Sequence, residues 1–181
     1  MVRQVMPSGP GESGDGLLQV MLALVGVAQR EIVMTTPYFV PDDALVLALR
    51  GAVARGVRLV LVLPARIDSL LVRFASRSFY DEIMELGGEI CFFQDGLLHT
   101  KSIAVDGTLA LFGTANLDMR SLWLNYEVSL LVYDEDFATR LRALQQGYII
   151  RSLPLDLASW STRPFRERLA ESALRLMSPL L

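Results

Sequence analysis

The sequence predicts an α/β domain, a β-sheet with helices on its faces. Three observations carry that reading. Short continuous apolar runs alternate with longer segments of helical period. Of the 181 residues, 52% are hydrophobic and 20% charged, enough to bury one sizeable core and too apolar for a disordered chain. Two closely spaced apolar stretches flank Asp106-Gly107, a tight-turn pair because both residues tolerate positive φ.

Residues 1–16 form a flexible leading segment, with Gly and Pro concentrated over 7–16. A helix is expected over 16–30 and a short buried strand over 31–35. Pro37-Tyr38-Phe39-Val40-Pro41 reads as a rigid turn carrying two aromatics. Asp42 is placed to cap a helix over 43–55, whose apolar face carries Leu45, Leu49, Ala52 and Val53. Gly56 ends that helix, and the apolar run 57–63 is a strand stopped by Pro64. A third helix over 69–86 is closed by Gly87-Gly88, and a strand follows at 89–93. Strands at 98–105 and 108–113 enclose the Asp106-Gly107 turn. A strand at 125–133 leads into a helix over 134–151. The lobe holding these strands is bounded at 17–152, and the tail, 153–181, carries an amphipathic helix over 164–177.

Composition narrows the function. A formal net charge of -3 disfavours a dedicated nucleic-acid binder. The single cysteine, Cys91, excludes a disulfide framework and a cysteine-rich metal site, and reads as a buried strand thiol. The richest apolar run, 17–28, is interrupted by Gln19. It falls short of the roughly 20 residues that cross a bilayer, so no segment is expected to span a membrane. Sixteen of the seventeen basic residues are arginine. The sole lysine, Lys101, lies two residues from the sole histidine, His99.

That pair centres the chemistry. Residues two apart on a strand share a face, so His99 and Lys101 are expected to project together. Asp106 has the opposite parity and sits in the turn, which assigns it a structural role. Thr114 and Asn116, after Gly113, begin the loop beyond the returning strand, within reach of His99. Glu127 shares a face of the following strand with Asn125 and Ser129. Such groups suit attack on a phosphodiester. An imidazole forms a covalent phosphohistidine, splitting one hard displacement into two easier ones. Lysine, Asn and Thr stabilise charge on the phosphoryl oxygens, and a carboxylate on the far ring nitrogen fixes the tautomer. No metal or cofactor is called for; one His with one Cys cannot build a zinc site, and counting leaves only a carboxylate-bound Mg²⁺ open.

His99-x-Lys101-x4-Asp106, with Gly113-Thr114-x-Asn116 and a later Glu127, resembles the HKD motif of the phospholipase D superfamily. Within it, the runs 96–102 and 113–122, Thr35-Thr36-Pro37-Tyr38-Phe39-Val40-Pro41 and the ending Met177-Ser178-Pro179-Leu180-Leu181 resemble the C-terminal half of bacterial cardiolipin synthases. The resemblance implies a phospholipase D-like mixed β-sheet sandwiched between α-helices, one lobe with a single HKD motif. It implies a peripheral place at the bacterial cell membrane and transfer of a phosphatidyl group between two phosphatidylglycerols, yielding cardiolipin and glycerol. His99, Lys101 and Glu127 carry over as catalytic residues, Glu127 as the orienter of the histidine. Lys101, Thr114 and Asn116 carry over as phosphate ligands, and Asp106 and Gly113 as motif and structural positions.

The pattern departs from the family in one respect. Two HKD motifs meet in one active site there, one histidine attacking and the other protonating the leaving alcohol, whereas this chain has one histidine. A positioned proton donor is worth roughly 10²–10⁴ in rate, so a second HKD lobe is expected. It comes from a missing N-terminal half, if the chain is part of a split or truncated gene, or from a homodimer mate. The alternatives are a homodimeric phosphodiesterase or nuclease, or an inactive gene product. Residues 50–77 hold six arginines against one acid, Asp68. Of these, Arg73 and Arg77, one helical turn apart, are candidate contacts for anionic lipid headgroups. Phe165, Leu169, Leu176, Leu180 and Leu181 form either an apolar edge for a membrane or a packing face.

Overall fold

Successive residues of a strand face opposite sides of a sheet, and that alternation builds a core on each side of this one. The computed structural model describes residues 2–10, 16–67 and 69–176. In chain order the elements are β1 (Val2–Ser8), α1 (Gly16–Val27), β2 (Glu31–Thr35), β3 (Phe39–Val40) and α2 (Asp43–Ala54). Then come β4 (Arg58–Pro64), α3 (Leu70–Glu85), β5 (Glu89–Phe93), β6 (Ser102–Val105) and β7 (Leu109–Gly113). β8 (Leu117–Asp118), α4 (Met119–Trp123), β9 (Glu127–Tyr133) and α5 (Glu135–Ile150) follow. β10 (Ser152–Pro154), α6 (Leu157–Ser161) and α7 (Phe165–Arg175) complete the described chain.

Eight strands form one sheet in the order β1-β9-β7-β6-β2-β4-β5-β10. β2, β4 and β5 run parallel, whereas β6, β7, β9, β1 and β10 join antiparallel, so the sheet is mixed. On one face Ile32, Met34, Leu61, Ile103 and Leu111 pack with Leu24, Leu49 and Phe79 of α1, α2 and α3. On the other, Val33, Val60 and Val62 meet Tyr148 and Ile149 of α5, while Ala110 and Val132 meet Ala138 and Phe137. Asp42 caps α2, accepting from the Ala44 N–H at 2.8 Å, as its position before an apolar-periodic segment predicts.

Several expectations need correction. Residues 2–8 of the leading segment are an edge strand paired along β9 from Val2↔Tyr133 to Ser8↔Glu127. The edge position accommodates Pro7, which has no N–H to donate. The strand predicted over 98–105 begins only at Ser102, leaving His99 and Lys101 on the preceding loop. The short elements β3, β8, β10, α4 and α6 were not anticipated; β3 and β8 pair in parallel beside the main sheet.

The terminal helix packs with its charged side inward. Glu171 is 2% exposed and bonds Arg77 at 2.6 Å and Arg163 at 3.1 Å, and Arg163 reaches Asp81 at 2.6 Å. Phe165, Leu169 and Leu176 face outward, and all three are exposed. Leu180 and Leu181 lie outside the described residues.

Candidate active site

The site is built where the loop 94–101 meets the sheet edge formed by the C-terminal ends of β2 and β7 and the start of β6. Leu98, 2% exposed, anchors the loop by packing with Val33, Val62 and Phe93, so its neighbours His99 and Lys101 are set at the rim. The N–H of Gly113 donates to the Lys101 carbonyl at 3.3 Å. A Cβ at Gly113 would lie 2.2 Å from the Val128 carbonyl oxygen, so the backbone approach of β7 to β9 requires glycine there.

His99 and Lys101 meet, although by loop geometry rather than strand parity. Lys101 Nζ lies 3.0 Å from His99 Nδ1 and 3.4 Å from Nε2, and donates to the His99 carbonyl at 2.8 Å. His99 is exposed and Lys101 half-buried. Desolvation lowers the Lys101 pKa from its ordinary value, against the opposing fields of Glu127 and Asp118.

The other sequence-predicted residues divide. Glu127 sits in the field of Lys101, and its carboxylate accepts from Asn125 Nδ2 at 3.3 Å; the ring of His99 bonds Lys101 instead. The Thr114 hydroxyl accepts from the Val128 N–H at 3.0 Å and donates to the Val128 carbonyl at 3.4 Å, which ties the loop to β9. Asn116 faces Asp118, to which its amide donates, and its Oδ1 is buried with no partner among the described residues. Asp118 is buried, and desolvation raises its pKa even though it caps α4 by accepting from the Ser121 N–H at 2.7 Å. The only sequence signal for this pair is the two-residue spacing of Asn116 and Asp118.

Asp106 lies at the far end of β6 from the site, in left-handed conformation with φ 54°. Its carboxylate accepts from the N–H groups of Gln29, Arg30 and Glu31 at 2.8, 2.8 and 2.9 Å. Burial raises its pKa, but those three donors prevail and hold the carboxyl below its ordinary value. Arg77 is not free for a headgroup, because its guanidinium is taken by Glu171 and by Glu167 at 2.7 Å; Arg73 remains exposed.

A polar relay behind the pair was missed. Gln145 of α5, fully buried, donates to the Val33 carbonyl and to Ser102 Oγ, each at 3.1 Å. Ser102 Oγ bonds Thr35 Oγ1 at 2.6 Å, and Thr100 Oγ1 donates to Thr35 at 3.2 Å. The relay thus runs from α5 to the residue between His99 and Lys101. No sequence signal links Gln145 to Ser102, 43 positions away. Among the described residues no cluster of three or more His, Cys, Asp or Glu is arranged to hold a metal, and no helix is long and apolar enough to cross a membrane.

The fold defines the class, a phospholipase D-like domain. The chain superposes on Nuc from Salmonella typhimurium, a phospholipase D family member, with TM-score 0.71 and 19% identity, covering 85% of this chain and 99% of that one. It superposes on phosphatidylserine synthase of Haemophilus influenzae with TM-score 0.76 and 20% identity, covering 99% of this chain and 48% of that one. Sequence then narrows the class: residues 21–146 match the family described as cardiolipin synthase, PLD-like domain, and the chain belongs to that family. Cardiolipin synthase A of Serratia proteamaculans is 49% identical over 178 residues, and that of Proteus mirabilis 48%. Each alignment covers 98% of this chain but 37% of the relative, so the chain spans little more than a third of their length.

Proposed function

We propose that this chain is one lobe of a phosphatidyltransferase of the cardiolipin synthase type, acting on phosphatidylglycerol at a membrane surface. The observation that carries the reading is the 3.0 Å contact between the sole imidazole and the sole lysine ammonium of the chain, at an exposed sheet edge. One histidine attacks phosphorus, the P–O bond to glycerol breaks, and the departing alkoxide takes a proton from the histidine of a second lobe. The hydroxyl of a second phosphatidylglycerol then returns a proton to that histidine and attacks the phosphohistidine, restoring the ring. His99 fills one of these two roles. Phosphoryl oxygens compete for the Lys101 ammonium; as it moves to them, Nδ1 is released and the ring is free to turn toward Glu127.

The test joins this lobe to a second HKD lobe and supplies phosphatidylglycerol vesicles. Cardiolipin and glycerol are expected in equal amounts, with both lost in His99→Ala. Formation of neither cardiolipin nor phosphatidic acid overturns the reading.

A second reading pairs two copies of this chain, each lending His99. Its support is that the superposition covers 99% of the Nuc chain, so a single lobe of this fold makes up a whole related chain. A dimer in solution that cleaves a phosphodiester favours it, and a 20.1 kDa monomer removes it. Membrane contact is supported by the outward Phe165, Leu169 and Leu176, flanked by exposed Arg166 and Arg168. Binding of the chain to anionic vesicles is expected to fall in Phe165→Ser/Leu169→Ser; equal binding by both proteins excludes that face.

A further inference from the structure

The structure sorts the six arginines of residues 50–77. Arg50 pairs with Glu82 at 3.0 Å, Arg58 with Glu89 at 2.7 Å, and Arg77 with Glu171 at 2.6 Å. Arg55 donates to the carbonyls of Val25 and Gly26 at 3.0 and 3.3 Å. Arg66 and Arg73 meet no carboxylate among the described residues; Asp68, between them in sequence, lies outside that set.

These two cations flank adjoining hollows on the sheet edge that also bears His99. Arg73 borders a cavity of about 260 Å³ walled by Ile67, Tyr80, Phe92, Leu153 and Trp160. Arg66 borders a groove that runs to Gly96 and Leu97, two residues before His99. The hollows share Ala65 and Gln94 in their linings, so they adjoin as two parts of one track. Leu97 and Leu153, at its two parts, are 76% and 62% exposed. An apolar cavity with guanidinium groups at its rim suits an anionic amphiphile better than a neutral chain or a bare phosphate.

We infer that this track seats the acceptor phospholipid, with an acyl chain in the cavity, its phosphate between Arg66 and Arg73, and its headgroup hydroxyl directed along Leu97 toward His99. The acceptor role rests on the function proposed above; the binding chemistry does not. A transferase needs such a seat, because a bound alcohol competes with water for the phosphoryl-enzyme only when held beside it.

Trp160 in the cavity wall is the reporter, read in the full 181-residue chain carrying Trp123→Phe so that it is the only tryptophan. Decyl phosphate is expected to shift its emission saturably, decanol more weakly, and inorganic phosphate not at all. Arg73→Ala weakens decyl phosphate binding about fivefold, the scale of an exposed charge contact. Ala65→Phe, at an exposed position shared by both hollows, blocks the binding. Absence of a saturable shift, or unchanged binding in both variants, overturns the inference. In the two-lobed enzyme, Arg73→Ala is expected to lower the ratio of cardiolipin to phosphatidic acid, and an unchanged ratio overturns the acceptor role. Cardiolipin synthesis with decyl phosphate silent removes the seat and leaves the proposed function standing. Decyl phosphate binding in a chain whose reassembled enzyme is inert does the reverse.

Discussion

At one end of the β6–β7 hairpin, the Asp106 carboxylate collects three backbone N–H groups within 2.9 Å, joining the turn to the end of α1 and the start of β2. At the other end, the exposed ring of His99 bonds a half-buried lysine. The strand between them, Ser102–Val105, spans about 13 Å at 3.3 Å per residue. Residues contiguous in the sequence motif are therefore separated in labour. The aspartate end is saturated with partners and rigid. The histidine end keeps an imidazole at the surface beside an ammonium whose pKa desolvation lowers.

The sharpest way to break this comparison is at the histidine. In the two-lobed protein, His99→Ala is expected to reduce turnover by at least roughly 10²–10⁴ while leaving the melting temperature unchanged, because the side chain is exposed. A large fall in thermal stability would show that both ends are structural.

Asp106→Ala should do the opposite. It removes the acceptor of three N–H groups and is expected to cost about 2–3 kcal/mol, a drop in Tm of roughly 4–12 °C. The pH dependence has a definite sign. The folded-state pKa of Asp106 is depressed, so its stabilisation is complete above the ordinary carboxylate value of about 3.9 and is lost as pH falls through the lower folded value. Denaturant midpoints measured from neutral pH downward should show less acid sensitivity in Asp106→Ala than in the parent.

Gly113→Ala tests the seam between the two ends. Its new Cβ meets the Val128 carbonyl at 2.2 Å, so β7 must shift, with an expected cost of about 1–3 kcal/mol. Because the Gly113 N–H holds the Lys101 carbonyl, turnover should fall together with stability. A smaller effect, about 1 kcal/mol, is expected for Gln145→Leu, which leaves the Val33 carbonyl and Ser102 without their amide donor. If Gln145 also sets the loop, its removal changes the NMR shift of the His99 ring although the two residues do not touch.

Legibility in the sequence followed how local each cause was. The strands at 31–35 and 89–93 are legible to the residue, because each is a short apolar run that opens on a glutamate and stops at a polar residue. β1 was lost because Pro7 and the glycines after it outweigh an edge strand's weak pattern, and only β9 shows that a partner exists. The His99–Lys101 contact was legible as a pair close in the chain. The partners of Glu127 and Thr114 were not, because they depend on how β9 lies against the loop after β7. The inward charged side of α7 was equally hidden: Glu171 reads as a solvated residue until Arg77 and Arg163 are seen to enclose it.

The chain's single imidazole and single side-chain amine are in contact with each other. Selective isotope labelling of either residue type therefore reports on a single residue of the candidate site, free of overlap from others of its kind. A titration or ligand addition can follow that signal without altering the protein.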